Sequence, residues 1–367
     1  MAALWKSEFV STAFFVVSFC LTICAEVVQG QGTPRFPALL VLGDSTLDAG
    51  NNNGINTPAK SNFAPYGRDF PGGVPTGRFS NGKLTSDFLA SALGIKETIP
   101  AYLDPQLTSN DLVTGVTFAS AGSGYDNATA ESGNVISFDQ QISYFRQYQS
   151  RLRGIVGEQE ASRIISDSLY YIGTGSADFG VSYFNFNPRN LRYNRSLQFT
   201  ISQYVDYLIS LGAGYIQKLY NAGARKMLVG GLSILGCSPS ERTYLALAGR
   251  PCNDRINQAS NEFNRKWEPT LARLQASLPG STIVYSDIYN IAVQAVQNPS
   301  YYGFLEVTRG CCGTGLAEVG QQCRQAARLS CPDADRFIYW DSVHPTQRMY
   351  QVIANVVMER DIPTLLN

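Results

Sequence analysis

In 367 residues there is a single histidine, His344, so the search for an imidazole base has one candidate. Neither charge sign is in excess, because 29 Lys and Arg balance 29 Asp and Glu. Such a chain lacks the basic surplus that holds nucleic acid or a polybasic membrane contact, and a neutral or weakly charged small substrate fits better. No fixed-period repeat, long low-complexity tract or charged linker divides it, so one domain over residues 33–367 is the economical reading. No uninterrupted apolar run reaches the roughly 20 residues of a membrane span either.

What stands at the N-terminus is Lys6, then an apolar run over about residues 9–25 interrupted by Ser and Thr, then small residues around Ala25 and Gly30. This is the pattern of a secretory signal over residues 1–30, cleaved between about 25 and 30, and it predicts a secreted protein without stable membrane insertion. Beyond it lie six cysteines, Cys237, Cys252, Cys311, Cys312, Cys323 and Cys331. An even set in an exported chain predicts disulfides, although six cysteines allow fifteen pairings and the sequence does not choose among them. Zinc fits less well, since the cluster from Cys311 to Cys331 contains no histidine and its adjacent pair does not match common finger spacings. The sequons Asn127-Ala-Thr and Asn194-Arg-Ser are compatible with N-glycans, whereas Asn298-Pro-Ser is blocked by its proline.

Short apolar runs at residues 38–42, 115–119, 168–172, 226–230 and 282–285 each stop near Gly, Ser or Asp, as strands buried on both faces do. Between them, residues 82–93, 142–153, 198–222, 254–278 and 346–359 return an apolar side chain every three or four positions. The alternation predicts an α/β fold with a mostly parallel five-stranded sheet covered on both faces. Loops at Gly43-Asp44-Ser45-Thr46, at 120–124 and at 173–178 follow the strand ends, where open parallel sheets bind ligands.

His344 stands three residues after Asp341 in Trp340-Asp341-Ser342-Val343-His344-Pro345. An imidazole accepts a hydroxyl proton near neutral pH, and a carboxylate on its second nitrogen fixes the tautomer and stabilises the imidazolium. His344 could instead cap a helix beginning at Pro345. Ser45 ends the first strand segment, where its hydroxyl can project from the sheet while neighbouring amides stay available; an ordinary turn serine would fit the same tripeptide. Asp44 and Asp48 suit loop amides better than metal or glycosidase chemistry. The aromatic stretch from Phe179 to Phe186 can line an acyl pocket or join the core. No Gly-x-Ser-x-Gly follows a strand, so the α/β-hydrolase elbow is excluded.

Gly43-Asp44-Ser45-Thr46-Leu47-Asp48-Ala49-Gly50-Asn51-Asn52-Asn53 closely resembles the opening block of the plant GDSL esterase/lipase family, within the SGNH hydrolases. Pro75-Thr76-Gly77-Arg78-Phe79-Ser80-Asn81-Gly82-Lys83, Phe118-Ala119-Ser120-Ala121-Gly122-Ser123-Gly124, Gly223-Ala224-Arg225-Lys226 and the stretch from Trp340 to Pro345 resemble its later blocks, in its order. The resemblance implies a three-layer α/β/α sandwich and a serine esterase or lipase located in the apoplast or cell wall. It implies Ser45 as nucleophile, His344 as general base and acid, and Asp341 as its orienter. Oxyanion donors are implied at the amides of Ser45 and Gly122, with Gly124 a weaker choice for the glycine. No cofactor or metal is implied. The family's asparagine donor maps to Ala177 in Gly175-Ser176-Ala177-Asp178, and an alanine methyl donates nothing. The expected activity is ester hydrolysis through an acyl-enzyme. An acyltransferase using the same intermediate, or a weakly active or inactive binding protein on this scaffold, are the alternatives.

Overall fold

Aliphatic five-residue runs make the sheet, because successive strand side chains point to opposite faces and both faces here are covered. The computed structural model describes residues 35–184 and 191–366; the expected signal segment and Phe186 lie outside the described residues. Strands β1 (Leu39–Gly43), β2 (Leu169–Gly173), β3 (Lys226–Gly230) and β4 (Thr282–Ser286) pair in parallel, in that order across the sheet. The main helices are α1 (Thr85–Ala92), α2 (Phe138–Val156), α3 (Ile201–Asn221), α4 (Asp254–Ser277) and α5 (Gln347–Arg360).

Leu40, Leu42, Tyr170, Ile172, Met227 and Val229 share one core with Phe145 of α2, Leu208 of α3 and Trp267 of α4. Their alternate neighbours Leu39, Val41, Leu169, Tyr171 and Leu228 share the other core with Leu89 of α1 and Ile353 of α5. Burying each such large side chain contributes about 1.5–3 kcal/mol, and the two cores on either side of the sheet give the α/β/α sandwich. Side-chain oxygens of Ser137, Thr200 and Thr346 cap α2, α3 and α5. Among the described residues, no helix is long and apolar enough to cross a membrane.

The sheet differs from expectation in strand count. Residues 115–119 lie against β1, with Val41 N–H donating to Val116 O and Phe118 N–H to Val41 O, but they form only a bridge at Thr117. On their outer side, Thr117 bonds Pro100 and Tyr102, and the Asn51 amide takes the Thr117 and Ala119 carbonyls. A second, two-stranded parallel sheet of β5 (Glu306–Gly310) and β6 (Phe337–Tyr339) lies outside the five expected runs. The half-exposed, charged sequence of β5 carries no apolar run to reveal it. The six cysteines pair as Cys237–Cys252, Cys311–Cys331 and Cys312–Cys323, so the cluster is spent on disulfides.

Candidate active site

Beyond β1 the chain turns at once: Leu47 N–H donates to Asp44 O, and the Asp44 carboxylate accepts from the Thr46 amide at 3.0 Å and the Thr46 hydroxyl at 2.8 Å. Half-buried Ser45 sits on this turn. On the other side, β6 leads into a loop closed by Trp340 N–H donating to His344 O at 2.7 Å, after which Thr346 caps α5. Thr346 thus does the capping that His344 could have done.

The two turns meet. Ser45 Oγ lies 2.8 Å from His344 Nε2, across 299 positions of sequence. His344 Nδ1 lies 2.8 and 2.9 Å from the two Asp341 oxygens. A carboxylate only accepts, so Nδ1 carries the proton and Nε2 presents its lone pair to the serine hydroxyl. Asp341 is fully buried and His344 is 6% exposed. Asp341 Oδ1 accepts from the Val343 and His344 amides, and Oδ2 accepts from the Tyr66 hydroxyl at 2.7 Å. The Phe79 ring lies 4.7 Å from the imidazole, centroid to centroid. Phe79 follows Arg78, whose guanidinium forms a buried two-point pair with Asp87.

The loop carrying Gly122 is fixed to the turn carrying Ser45 by polar side chains. Asp48 accepts from the Gly50, Asn51 and Ala121 amides, and Asn52 donates to Ala121 O and accepts from Ser120 Oγ. Gln141 of α2 accepts from Gly43 N–H and donates to Gly43 O and Ser123 Oγ. Gly122 has φ +84°, a left-handed conformation that favours glycine. Neither its amide nor that of Ser45 meets an acceptor among the described residues, so both are free to donate. Gly124 has a packing reason instead: a Cβ there would collide with the Asp178 carboxylate, which accepts from the Tyr125 and Asp126 amides and from Thr129 Oγ1.

Burial drives the electrostatics of these loops. It raises Asp44 above the ordinary carboxyl range against the Thr46 donors, and pushes Asp48 up to about 6 despite three amides. Asp178 is pushed up to about 7, by burial first, with Asp126 adding to the rise. Ala177 is half-buried immediately before Asp178. Phe179 and Tyr183 are core, packed on Tyr204, and Phe184 is half-buried. The Asn127 amide is half-buried and donates to Asp139 at 2.8 Å, while Asn194 is buried and bonded to Ser196. A glycan on Asn194 therefore requires its segment to open.

The arrangement can take a proton from Ser45 onto His344 and hold the resulting imidazolium against Asp341, with the amides of Ser45 and of Gly122 on the loop anchored to its turn left to donate. Tyr66 and Gln141 are absent from the sequence reading. Tyr66 stands in Ala64-Pro65-Tyr66-Gly67, and nothing local marks a residue whose contact lies 275 positions away.

Residues 39–357 match the GDSL-like lipase/acylhydrolase family. A GDSL esterase/lipase of Arabidopsis thaliana is 43% identical over 354 residues, 96% of this chain and 99% of the relative. Another from the same plant is 42% identical over 348 residues, 95% of this chain and 97% of its own length. A third is 43% identical over 335 residues, covering 91% of each. With the match spanning the sheet, both site turns and most of α5, the chain belongs to the GDSL-like lipase/acylhydrolase family.

Proposed function

We propose that this protein is a secreted esterase that hydrolyses carboxylic esters through an acyl intermediate on Ser45. The observation that carries this reading is the 2.8 Å approach of His344 Nε2 to Ser45 Oγ, with Asp341 on the opposite nitrogen. His344 takes the hydroxyl proton as Ser45 Oγ attacks the ester carbonyl, and the oxyanion sits on the amides of Ser45 and Gly122. Asp341 holds the imidazolium, which returns its proton to the departing alcohol. Water then enters by the same base, the acid leaves, and Ser45 is restored. Every step uses side chains and amides of this chain. The leader composition and the three disulfides support export to an oxidising space such as the plant apoplast.

The test is hydrolysis of p-nitrophenyl esters of increasing acyl length by the secreted protein beside Ser45→Ala, with fluorophosphonate labelling of both. Removal of the nucleophile costs on the order of 10⁶ in turnover in serine hydrolases of this chemistry. Wild-type turnover and labelling, both lost in Ser45→Ala, are the expected result. A folded Ser45→Ala protein that still turns over esters sinks the reading.

A further inference from the structure

The Asp341 oxygen nearest the imidazole, Oδ2, is also held by one side chain from far away in sequence. Tyr66 is 1% exposed, and its hydroxyl stands 2.7 Å from Asp341 Oδ2 and 2.8 Å from the Gly320 amide nitrogen. The direction of both bonds follows from the groups. An amide N–H can only donate, so the Tyr66 oxygen accepts from Gly320 and its own proton goes to Asp341. The ring has little freedom to turn away: Phe63, Phe79 and Trp340 meet it edge-on at centroid distances of 5.9, 5.7 and 6.1 Å. Burial first, and Asp341 second, push the phenol well above its ordinary range, so it stays a donor at every working pH.

Gly320 belongs to the segment enclosed by the Cys312–Cys323 disulfide. That segment meets the Asp341 loop directly, with Cys312 N–H donating to Trp340 O at 2.7 Å and Glu318 O accepting from Ser342 N–H at 2.9 Å, and again through Tyr66. We infer that Tyr66 is the positioning residue of Asp341, bracing the carboxylate through a hydroxyl that the disulfide-enclosed segment holds in place. The inference rests on the catalytic reading above and deepens it. The brace has two consequences. It keeps Oδ2 in line with His344 Nδ1, and it draws charge from the carboxylate that would otherwise grip the imidazolium harder. The other polar groups facing this pair are Ser45, Asp44, which feels His344, and Tyr350, which feels Asp341 and Asp44. None of them is a hydrogen-bond partner of the Tyr66 hydroxyl, which bonds Asp341 and Gly320.

The test is Tyr66→Phe, which deletes one oxygen and keeps the ring, compared with Phe63→Leu, which loosens the ring and keeps the hydroxyl. A hydrogen bond to a charged group of this strength corresponds to about ten-fold or more in rate. Tyr66→Phe is expected to lower kcat on p-nitrophenyl butyrate by about that factor with KM little changed. It should also move the acidic limb of the kcat/KM profile to higher pH, because the imidazole keeps its resting proton longer. Phe63→Leu should leave that limb in place. An unchanged kcat and limb in Tyr66→Phe overturns the inference. So does a loss equal at all pH values that follows the fall in Tm in both variants. Ser45→Ala separates the two readings: if it still hydrolyses the ester, the catalytic reading itself fails, whereas its inactivity beside an unaltered Tyr66→Phe removes only the role given to Tyr66.

Discussion

Ala177 stands where the resemblance to the family implies an asparagine donor, and that assignment has a testable chemical consequence. Two backbone amides, of Ser45 and Gly122, are free to donate, and the methyl of Ala177 adds nothing to them. A single side-chain donor in such a site is worth about 2.7–4 kcal/mol of transition-state stabilisation. Ala177→Asn is therefore expected to raise kcat on an activated short-chain ester by about ten-fold or more, with Ser45 still required. Steady-state kinetics at one pH suffices, and an unaltered kcat in the folded variant shows that position 177 does not face the oxyanion. At this scale the readable residues were those with chemistry of their own: one histidine, a carboxylate three positions before it, and a serine at a strand end. Tyr66 and Gln141 were not readable, because a tyrosine or glutamine acquires its role only from a partner that folding brings near. Gln141 lies 98 positions from the strand end it bonds.

Among elements, the four paired strands and five main helices fall where apolar period places them, within a few residues at each end. Period failed where polar side chains take over the pairing. Residues 115–119 give their outer edge to the Asn51 amide and to a single backbone bridge with Pro100 and Tyr102, and β5 pairs through a charged, half-exposed sequence. The second block, from Pro75 to Lys83, shows how such polar contacts hold an element to the site. Asp87 is fully buried and accepts from Leu84 N–H at the start of α1, from Ile99 N–H and from both arms of Arg78. The Arg78 guanidinium also donates to Ile99 O, and the next residue, Phe79, lies against His344. Removing one partner of a buried pair leaves the other charge without compensation, at a cost of about 3–5 kcal/mol. Arg78→Leu should lose that much in urea denaturation, whereas a loss below about 1 kcal/mol would place the pair with weak surface ion pairs.

Taken as a whole molecule, the protein carries two opposed sets of carboxyl groups, and their signs set where it is most stable. Asp178, at about 7, and Asp48, at about 6, lie above the unfolded value of about 3.9 because burial disfavours their charge. Between pH 4 and 7, roughly, the folded chain keeps protons that the unfolded chain has released, so their stabilisation is complete below about pH 4 and is lost as pH rises. Glu318 behaves in the opposite sense: burial works against its ionisation, yet the Thr314 hydroxyl, followed by the Thr314, Glu318 and Ala317 amides, holds it at about 2. Its contribution is present above the unfolded value of about 4.3 and is lost as pH falls towards 2. Opposed limbs place the stability maximum near pH 4, with a decline up to about pH 7 of at most about 1.4 kcal/mol per pH unit for each raised group. Asp178→Asn removes the larger raised group, so thermal melts of that variant at pH 5 and pH 8 should differ less than those of the parent protein. A parent Tm that climbs from pH 5 to pH 8, or a slope in Asp178→Asn equal to the parent slope, would show that the buried carboxyl under the Gly124 loop is ionised in the fold.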